Sequence, residues 1–244
     1  MKNNKTLILA HRGFSKKAPE NTKASFRKAV EAGADGVEFD VQLSSDGIPV
    51  VIHDETLERT TTGKGWVKDK SSKKLSKLDA GTHFDPCYSE EGVPTLREVL
   101  EIVKNMRVIN IEFKNSKVRY EGLEKRALAL VKKFNLLDQV IFSSFNHYSI
   151  KNIKKLEPNA RTGILYYAKL YQPWEYAAHL GIKNLHAHYF SIDSQMVEKC
   201  QENGININVY GANKNHEIDE VIKMGINIII TSSLEEAMKI RENI

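Results

Sequence analysis

Val37-Glu38-Phe39-Asp40-Val41-Gln42 is the stretch on which the reading of the fold turns. Apolar residues alternate there with Glu38 and Asp40, the period of a β-strand that buries Val37, Phe39 and Val41 on one face and sets both carboxylates on the other. Acids two residues apart on a strand have Cα atoms about 6.5 to 7 Å apart. Ionised together in an enclosed place they repel, so either one is protonated or a cation lies between them. An edge strand with its acids in water fits the same pattern, and the surrounding sequence has to discriminate.

On the N-terminal side, Leu7-Ile8-Leu9-Ala10 is a short apolar run followed at once by His11-Arg12-Gly13, a buried strand ending in a polar loop. Helical apolar spacing at Phe26, Ala29 and Val30 predicts a helix over 22–32, with Asn21 as N-cap and Gly33 as stop. On the C-terminal side the Asp46-Gly47 turn leads into Pro49 to Ile52 and then His53-Asp54. So short a connection permits only an antiparallel return, which makes 49–53 a hairpin arm and not the next parallel strand. From Glu55 to about Pro94 the periodicity is lost, and the segment reads as an insertion or cap.

Regular alternation resumes with a helix over 96–104 behind the N-cap Thr95. Strands follow at 108–113, 139–142, 162–165, 184–187, 205–209 and 226–230, each with a helical segment after it. With the first two strands this makes eight βα units. The expectation is an α/β fold, a (β/α)8 TIM barrel forming a single domain over 1–244, with a hairpin and inserted cap at about 43–94 between the second and third barrel strands. The competing architecture, an open doubly wound sheet, lacks a Gly-rich phosphate fingerprint after its first strand.

The 244 residues are 41% hydrophobic and 27% charged, which excludes wholesale disorder. No stretch approaches the apolar length of a membrane span, and the first apolar run is too short for a signal peptide, so the expectation is a cytoplasmic protein without a transmembrane segment. Cys87 and Cys200 have no metal-ligand spacing and indicate neither a disulfide framework nor a cysteine zinc site. The net charge of +5 favours anionic partners in general. Its one local concentration, Lys64, Lys68, Lys70, Lys73, Lys74 and Lys77, lacks the interleaved aromatics of a single-strand platform and reads as a solvated face, with no nucleic-acid partner.

A TIM barrel puts its active site at the C-terminal rim of its strands. His11 shares parity with Leu7 and Leu9, and Arg12 follows it. Glu38 and Asp40 come from the second strand, and the hairpin returns His53 to the same end. In Ile109-Asn110-Ile111-Glu112-Phe113-Lys114 the apolar residues face the helices, so Asn110, Glu112 and Lys114 point inward. Three carboxylates on the inner faces of adjacent strands call for a cation. Oxygen ligands suit a hard ion, Mg²⁺ or Ca²⁺, held by Glu38, Asp40 and Glu112. Arg12 and Lys114 add the positive charge that binds a phosphate group, and His11 and His53 are a proton donor and acceptor for displacement at phosphorus.

Taken in order, His11-Arg12-Gly13, Pro19-Glu20-Asn21-Thr22, Glu38-Phe39-Asp40-Val41, His53-Asp54, Pro94-Thr95-Leu96, Ile111-Glu112-Phe113-Lys114 and Ser144-Phe145 resemble the motifs of the glycerophosphodiester phosphodiesterase family. The resemblance implies a TIM barrel with a small inserted subdomain, a divalent cation, and hydrolysis of glycerophosphodiesters to glycerol 3-phosphate and an alcohol. It also implies His11 and His53 as general acid and base, Glu38, Asp40 and Glu112 as metal ligands, and Arg12, Lys114 and Glu20 at the phosphate side. The C-terminal third departs from the family pattern: Tyr210 stands where similar proteins carry a tryptophan wall, and Thr231-Ser232-Ser233 where they carry a terminal aspartate.

Two other readings compete. His186 and His188 have the one-residue spacing of some zinc hydrolase barrels, though on a late strand and without that class's lysine and further histidines. His83, His147, His179 and His216 read as surface or packing residues. A non-catalytic barrel binding a phosphorylated metabolite is the alternative of a different class, motivated by the divergent C-terminal motifs.

Overall fold

A computed structural model describes residues 5–244. Strands β1 (Leu7–His11), β2 (Gly36–Leu43), β3 (Pro49–Val51), β4 (Val108–Phe113), β5 (Val140–Ser144), β6 (Arg161–Tyr166), β7 (Asn184–His188), β8 (Asn206–Tyr210) and β9 (Ile228–Thr231) form one sheet. All pairings are parallel except β2 with β3, and β1 pairs with both β2 and β9, so the parallel strands close on themselves. Among the described residues this is a barrel of eight parallel strands, a TIM barrel, with β3 as an antiparallel flap on β2. The helices are α1 (Lys23–Glu31), α2 (Ser72–Leu75), α3 (Leu96–Val103), α4 (Leu123–Lys133), α5 (His147–Leu156), α6 (Pro173–Leu180), α7 (Ser194–Glu202), α8 (Asn215–Lys223) and α9 (Leu234–Glu242). None is long and apolar enough to cross a membrane.

Strand parity sorts the core into two layers, because successive side chains point to opposite sheet faces. Ile8, Ala10, Val37, Phe39, Val41, Ile109, Ile111 and Phe113 face outward and join the helices in the main core. Leu9, Val108, Ile141, Ile228 and Ile230 form a separate apolar plug inside the barrel. Phe26 meets Phe39 edge-on at 5.4 Å, and Phe113 stacks on Phe142 at 5.5 Å. Each of these wholly buried rings stabilises the fold by about 1.5 to 3 kcal/mol.

Helix α3 starts with a full capping box, Thr95 accepting from the Glu98 backbone and Glu98 reaching back to Thr95. The start of α1 differs from expectation. Thr22, not Asn21, is its N-cap and accepts from the Ser25 backbone. Asn21 takes a left-handed backbone (φ 57°) and turns its amide to Asp40.

Between β3 and α3 the chain is irregular, with 3₁₀ turns at Val67–Asp69 and Pro86–Tyr88 and the single turn of α2. It nevertheless has its own small core of Val50, Ile52, Leu57, Val67, Leu75, Ala80 and Val93. These apolar residues follow no period, which is why the sequence shows no element there. Backbone bonds from Val51 to Pro94 (2.8 Å) and Ser45 to Lys70 (2.9 Å) tie the segment to the hairpin. Asp46 adds a side-chain clamp, accepting from the Ser44 hydroxyl (2.6 Å), the Ser72 backbone (2.8 Å) and the Ser72 hydroxyl (2.8 Å).

The Ser44 and Ser72 hydrogen bonds bring Asp46 down to about 2. A depressed carboxylate contributes stability above its ordinary range near about 3.9 and loses it as pH falls through its folded value. Asp46→Asn should therefore lower stability at pH 7 by under about 1 kcal/mol, the scale of an exposed charged acceptor. The gap between the urea midpoints of variant and wild type should close as pH falls from about 4 towards about 2.

Candidate active site

The C-terminal mouth of the barrel gathers the polar inner-face residues of β1, β2 and β4 with the hairpin turn. Register does this directly: His11 pairs with Glu38, and Asp40 pairs with Glu112. The carboxylates of Glu38, Asp40 and Glu112 are buried, and each offers an oxygen within 4.8 Å of the others. Burial, then Asp40 and Glu112, push Glu38 well above the usual carboxylate range. Burial also pushes Glu112 up, against the pull of Lys114. For Asp40 burial acts in the same direction, but the Arg12 guanidinium and Lys114 ammonium outweigh it and hold the group well below its usual range. Three acids this close cannot all ionise comfortably on their own, and an oxygen-only donor set fits a hard divalent cation.

Two positive groups lie against this triad, Arg12 anchored from outside it by Glu20 and Lys114 held by the triad's own Glu112. Arg12 Nη1 donates to Glu20 (2.8 Å), while its Nε lies 3.4 Å from Asp40 without a good hydrogen bond. Lys114 Nζ donates to Glu112 (2.9 Å) and lies 3.8 Å from Asp40. Asn21 Nδ2 donates to Asp40 (2.9 Å). The loop after β1 is strained to achieve this. Arg12 (φ 58°) and Asn21 (φ 57°) are both left-handed, and Gly13 (φ 77°) packs so tightly on Ser25 that a Cβ would lie 2.4 Å from its hydroxyl. Backbone bonds from Arg12 to the Glu38 carbonyl (2.8 Å) and from Asn21 to the Arg12 carbonyl (3.0 Å) hold the strained turn in place.

The two histidines flank the triad in different ways. His11 Nε2 is 3.8 Å from Glu38, and its Nδ1 is 3.2 Å from the Ser232 hydroxyl. Burial, then Arg12, hold His11 below the usual imidazole range, with the third of its side chain open to water moderating the effect. His53 Nδ1 is 2.6 Å from Asp54 and Nε2 is 3.2 Å from Lys114 Nζ. Hydrogen bonds from Arg59 and, against some burial, from His53 bring Asp54 to about 2. An ionised Asp54 only accepts, which assigns the proton of neutral His53 to Nδ1 and leaves Nε2 facing the mouth. Arg59 clamps this arrangement, donating to Asp54 (2.6 and 3.0 Å) and to Glu20 (2.9 and 2.8 Å). Beneath the turn, Gln42 donates to the carbonyls of Ile52, His53 and Asp54 and accepts from the Tyr120 hydroxyl.

The family model described as the glycerophosphoryl diester phosphodiesterase family matches residues 11–236. The chain belongs to this family. It is 44% identical over 95% of its length to a glycerophosphodiester phosphodiesterase of Caldanaerobacter subterraneus subsp. tengcongensis, covering 96% of that protein. A Bacillus altitudinis protein of the same name is 38% identical over 97% of the chain, with 98% of the relative covered. Among solved structures, an Oleispira antarctica phosphodiesterase in complex with the product sn-glycerol-3-phosphate superposes with a TM-score of 0.87 at 31% identity, covering 97% of this chain and 96% of that one. The protein is thus an enzyme of this phosphodiesterase family with the family's barrel fold.

Of the residues singled out in the sequence, His11, Arg12, Glu20, Glu38, Asp40, His53, Glu112 and Lys114 lie in one connected network. Tyr210 lies apart from it on the wall, edge-on to Phe145 at 6.1 Å and donating to the Tyr166 carbonyl (3.1 Å). Asn21, Gln42, Asp54, Arg59 and Ser232 belong to the site and were not assigned a part in it. Asn21 carried the signal of a helix cap, and Arg59, in the aperiodic insertion, carried none. His186 is buried inside the barrel beside Asn208 (2.9 Å), held neutral by burial at about 3, and His188 packs among Tyr167, Phe190 and Tyr210. Neither joins the carboxylate triad, the one grouping of metal-ligating type among the described residues.

The strained loop yields a stability test. Asn21→Ala removes the bond to Asp40 and replaces an asparagine, which tolerates the left-handed backbone, by a residue that tolerates it less well, so unfolding should show a loss of about 1 to 3 kcal/mol. Asn21→Gly loses the same bond without that strain and should cost measurably less.

Proposed function

We propose that the enzyme hydrolyses glycerophosphodiesters to sn-glycerol 3-phosphate and an alcohol, using a divalent cation, Mg²⁺ or Ca²⁺, with His11 and His53 as the proton-transfer pair. The observation that carries this is the meeting of a three-carboxylate triad, two fixed cations and two imidazoles at one barrel mouth. The bound product of the Oleispira antarctica relative supports the same substrate class. The reading takes the whole chain as one domain, with the hairpin and insertion forming one side of the mouth.

Glu38, Asp40 and Glu112 would hold the cation, which supplies Lewis acidity toward a phosphoryl oxygen and a fixed template for the diester. Arg12 and Lys114 bind the phosphodiester anion, and Glu20 with Arg59 keeps Arg12 pointed at it. His11, low in proton affinity, takes the proton of the attacking hydroxyl as the new P–O bond forms. His53 acts as the imidazolium, its Nδ1–H held by Asp54, and gives the proton of Nε2 to the leaving alcohol oxygen as the old P–O bond breaks, returning to the neutral Nδ1–H form. Asp54 orients the ring and stabilises its imidazolium form. Tyr210 forms part of the apolar wall.

Release of sn-glycerol 3-phosphate from glycerophosphocholine with Mg²⁺ or Ca²⁺ tests this. His11→Ala and His53→Ala should each lower kcat about 10²- to 10⁴-fold, and Asp54→Asn should lower it by at least about tenfold with a smaller change in KM. Absence of turnover on several headgroups would favour a binding barrel, and full activity in both histidine variants would contradict the mechanism. A cyclic phosphate product would identify the substrate's own hydroxyl as the first nucleophile.

A further inference from the structure

The opposite end of the barrel, where the strands begin, carries a second polar cavity, of about 190 Å³. It lies at the first residues of β1, β6, β7, β8 and β9, a strand's length from the carboxylate triad. Pockets for cofactors and drug-sized ligands start near about 300 Å³, so this one suits a small ion with a few waters.

The charge of its lining is of one sign. Lys5, Arg107 and Arg161 line it, and among the described residues no acid does. Neither arginine forms an ion pair among the described residues. Arg161 is half-buried and donates from Nη1 to the Asp138 backbone carbonyl (2.9 Å), a neutral acceptor. Burial lowers its proton affinity, and the Asp138 carboxylate, beyond ion-pair distance, offsets this only in part. Asp35, an acid at the same end of the barrel, is already taken by Arg241 and the Ile8 amide. Two arginines without a counter-charge around one cavity make it a place for an anion.

Asparagines complete the walls. Asn184 donates to the Thr162 carbonyl (3.0 Å) and accepts from Asn206 (3.1 Å). Asn227 accepts from the Ile207 amide (2.8 Å), which leaves its own NH₂ to donate. Asn208 lies two residues farther along β8 than Asn206, on the same strand face, and is wholly buried. Its Nδ2 donates to His186 (2.9 Å), and its Oδ1 has no partner. A buried carbonyl oxygen without a donor is costly, so the ligand that completes this cavity is an anion toward the arginines and an O–H donor toward Asn208.

We propose that the cavity is a site for inorganic phosphate, with the oxygens of hydrogen phosphate on Arg107 and Arg161 and its O–H donating to Asn208 Oδ1. Sulfate has no proton to give at neutral pH. A phosphate monoester loses its last phosphoryl proton near about pH 6, so above that pH it too lacks the donor.

Amide NMR of the full chain with Mg²⁺ at about pH 7.5 tests this, a pH at which inorganic phosphate keeps a proton that a monoester has lost. Inorganic phosphate, sulfate and sn-glycerol 3-phosphate are titrated separately, with Asn184, Asn206 and Asn227 reporting on the cavity and Gly13 and Ser233 on the mouth. Phosphate should shift the cavity signals saturably, and the other two anions should bind there at least about tenfold more weakly. Arg161→Gln should weaken phosphate binding at the cavity by at least about tenfold, and Arg107→Gln, at an exposed position outside the core, by about threefold or more. Shifts confined to the mouth, cavity shifts that never saturate, equal binding of sulfate and phosphate, or wild-type affinity in both arginine variants would each overturn the assignment.

Discussion

Mutual repulsion among Glu38, Asp40 and Glu112 is the constraint around which the mouth of the barrel is arranged. Backbone register between adjacent strands forces these carboxylates together, and burial removes the water that would otherwise screen them. Their company follows from that. Arg12, Lys114 and Asn21 each reach Asp40, and Lys114 also holds Glu112, yet Glu38 gains no cation of comparable closeness. The charge left uncompensated inside the triad is what a divalent cation would neutralise.

Keeping the positive groups aimed at this point requires a strained support. The turn after β1 places Arg12 and Asn21 in left-handed backbone conformations that ordinary packing would not select. Their cost is offset by hydrogen bonds to Glu38, Arg12 and Asp40, so strand, turn and site stand or fall together. On the opposite side, Arg59 spans Glu20 and Asp54 and so couples the Arg12 turn to the His53 hairpin. The insertion, whose core is separate from the barrel's, thereby supplies the residue that ties the two sides of the mouth together.

Much of this was legible in the sequence because strand parity is a local property. Alternation alone put Glu38, Asp40 and Glu112 on inner faces, and the tight Asp46-Gly47 connection identified the antiparallel arm carrying His53. What was not legible depends on tertiary position. Asn21 sits one residue before the true cap and shows the same preference for helix starts, so its turn toward Asp40 is visible only once β2 is beside it. Arg59 and the small core around Leu57 and Val67 lie in a segment without period, where no local pattern reports a contact. Ser232 occupies the position of an expected aspartate, and its hydroxyl still reaches His11.

Calorimetric titration of Mg²⁺ and Ca²⁺ into wild type and Glu38→Gln reads whether the triad holds a cation, as proposed. About one ion per chain is expected in wild type. At least a tenfold weaker affinity is expected in the variant, whose metal-free fold is as stable as wild type or more so because one source of repulsion is gone. Wild-type affinity in Glu38→Gln, or no binding by wild type at all, would contradict the proposal.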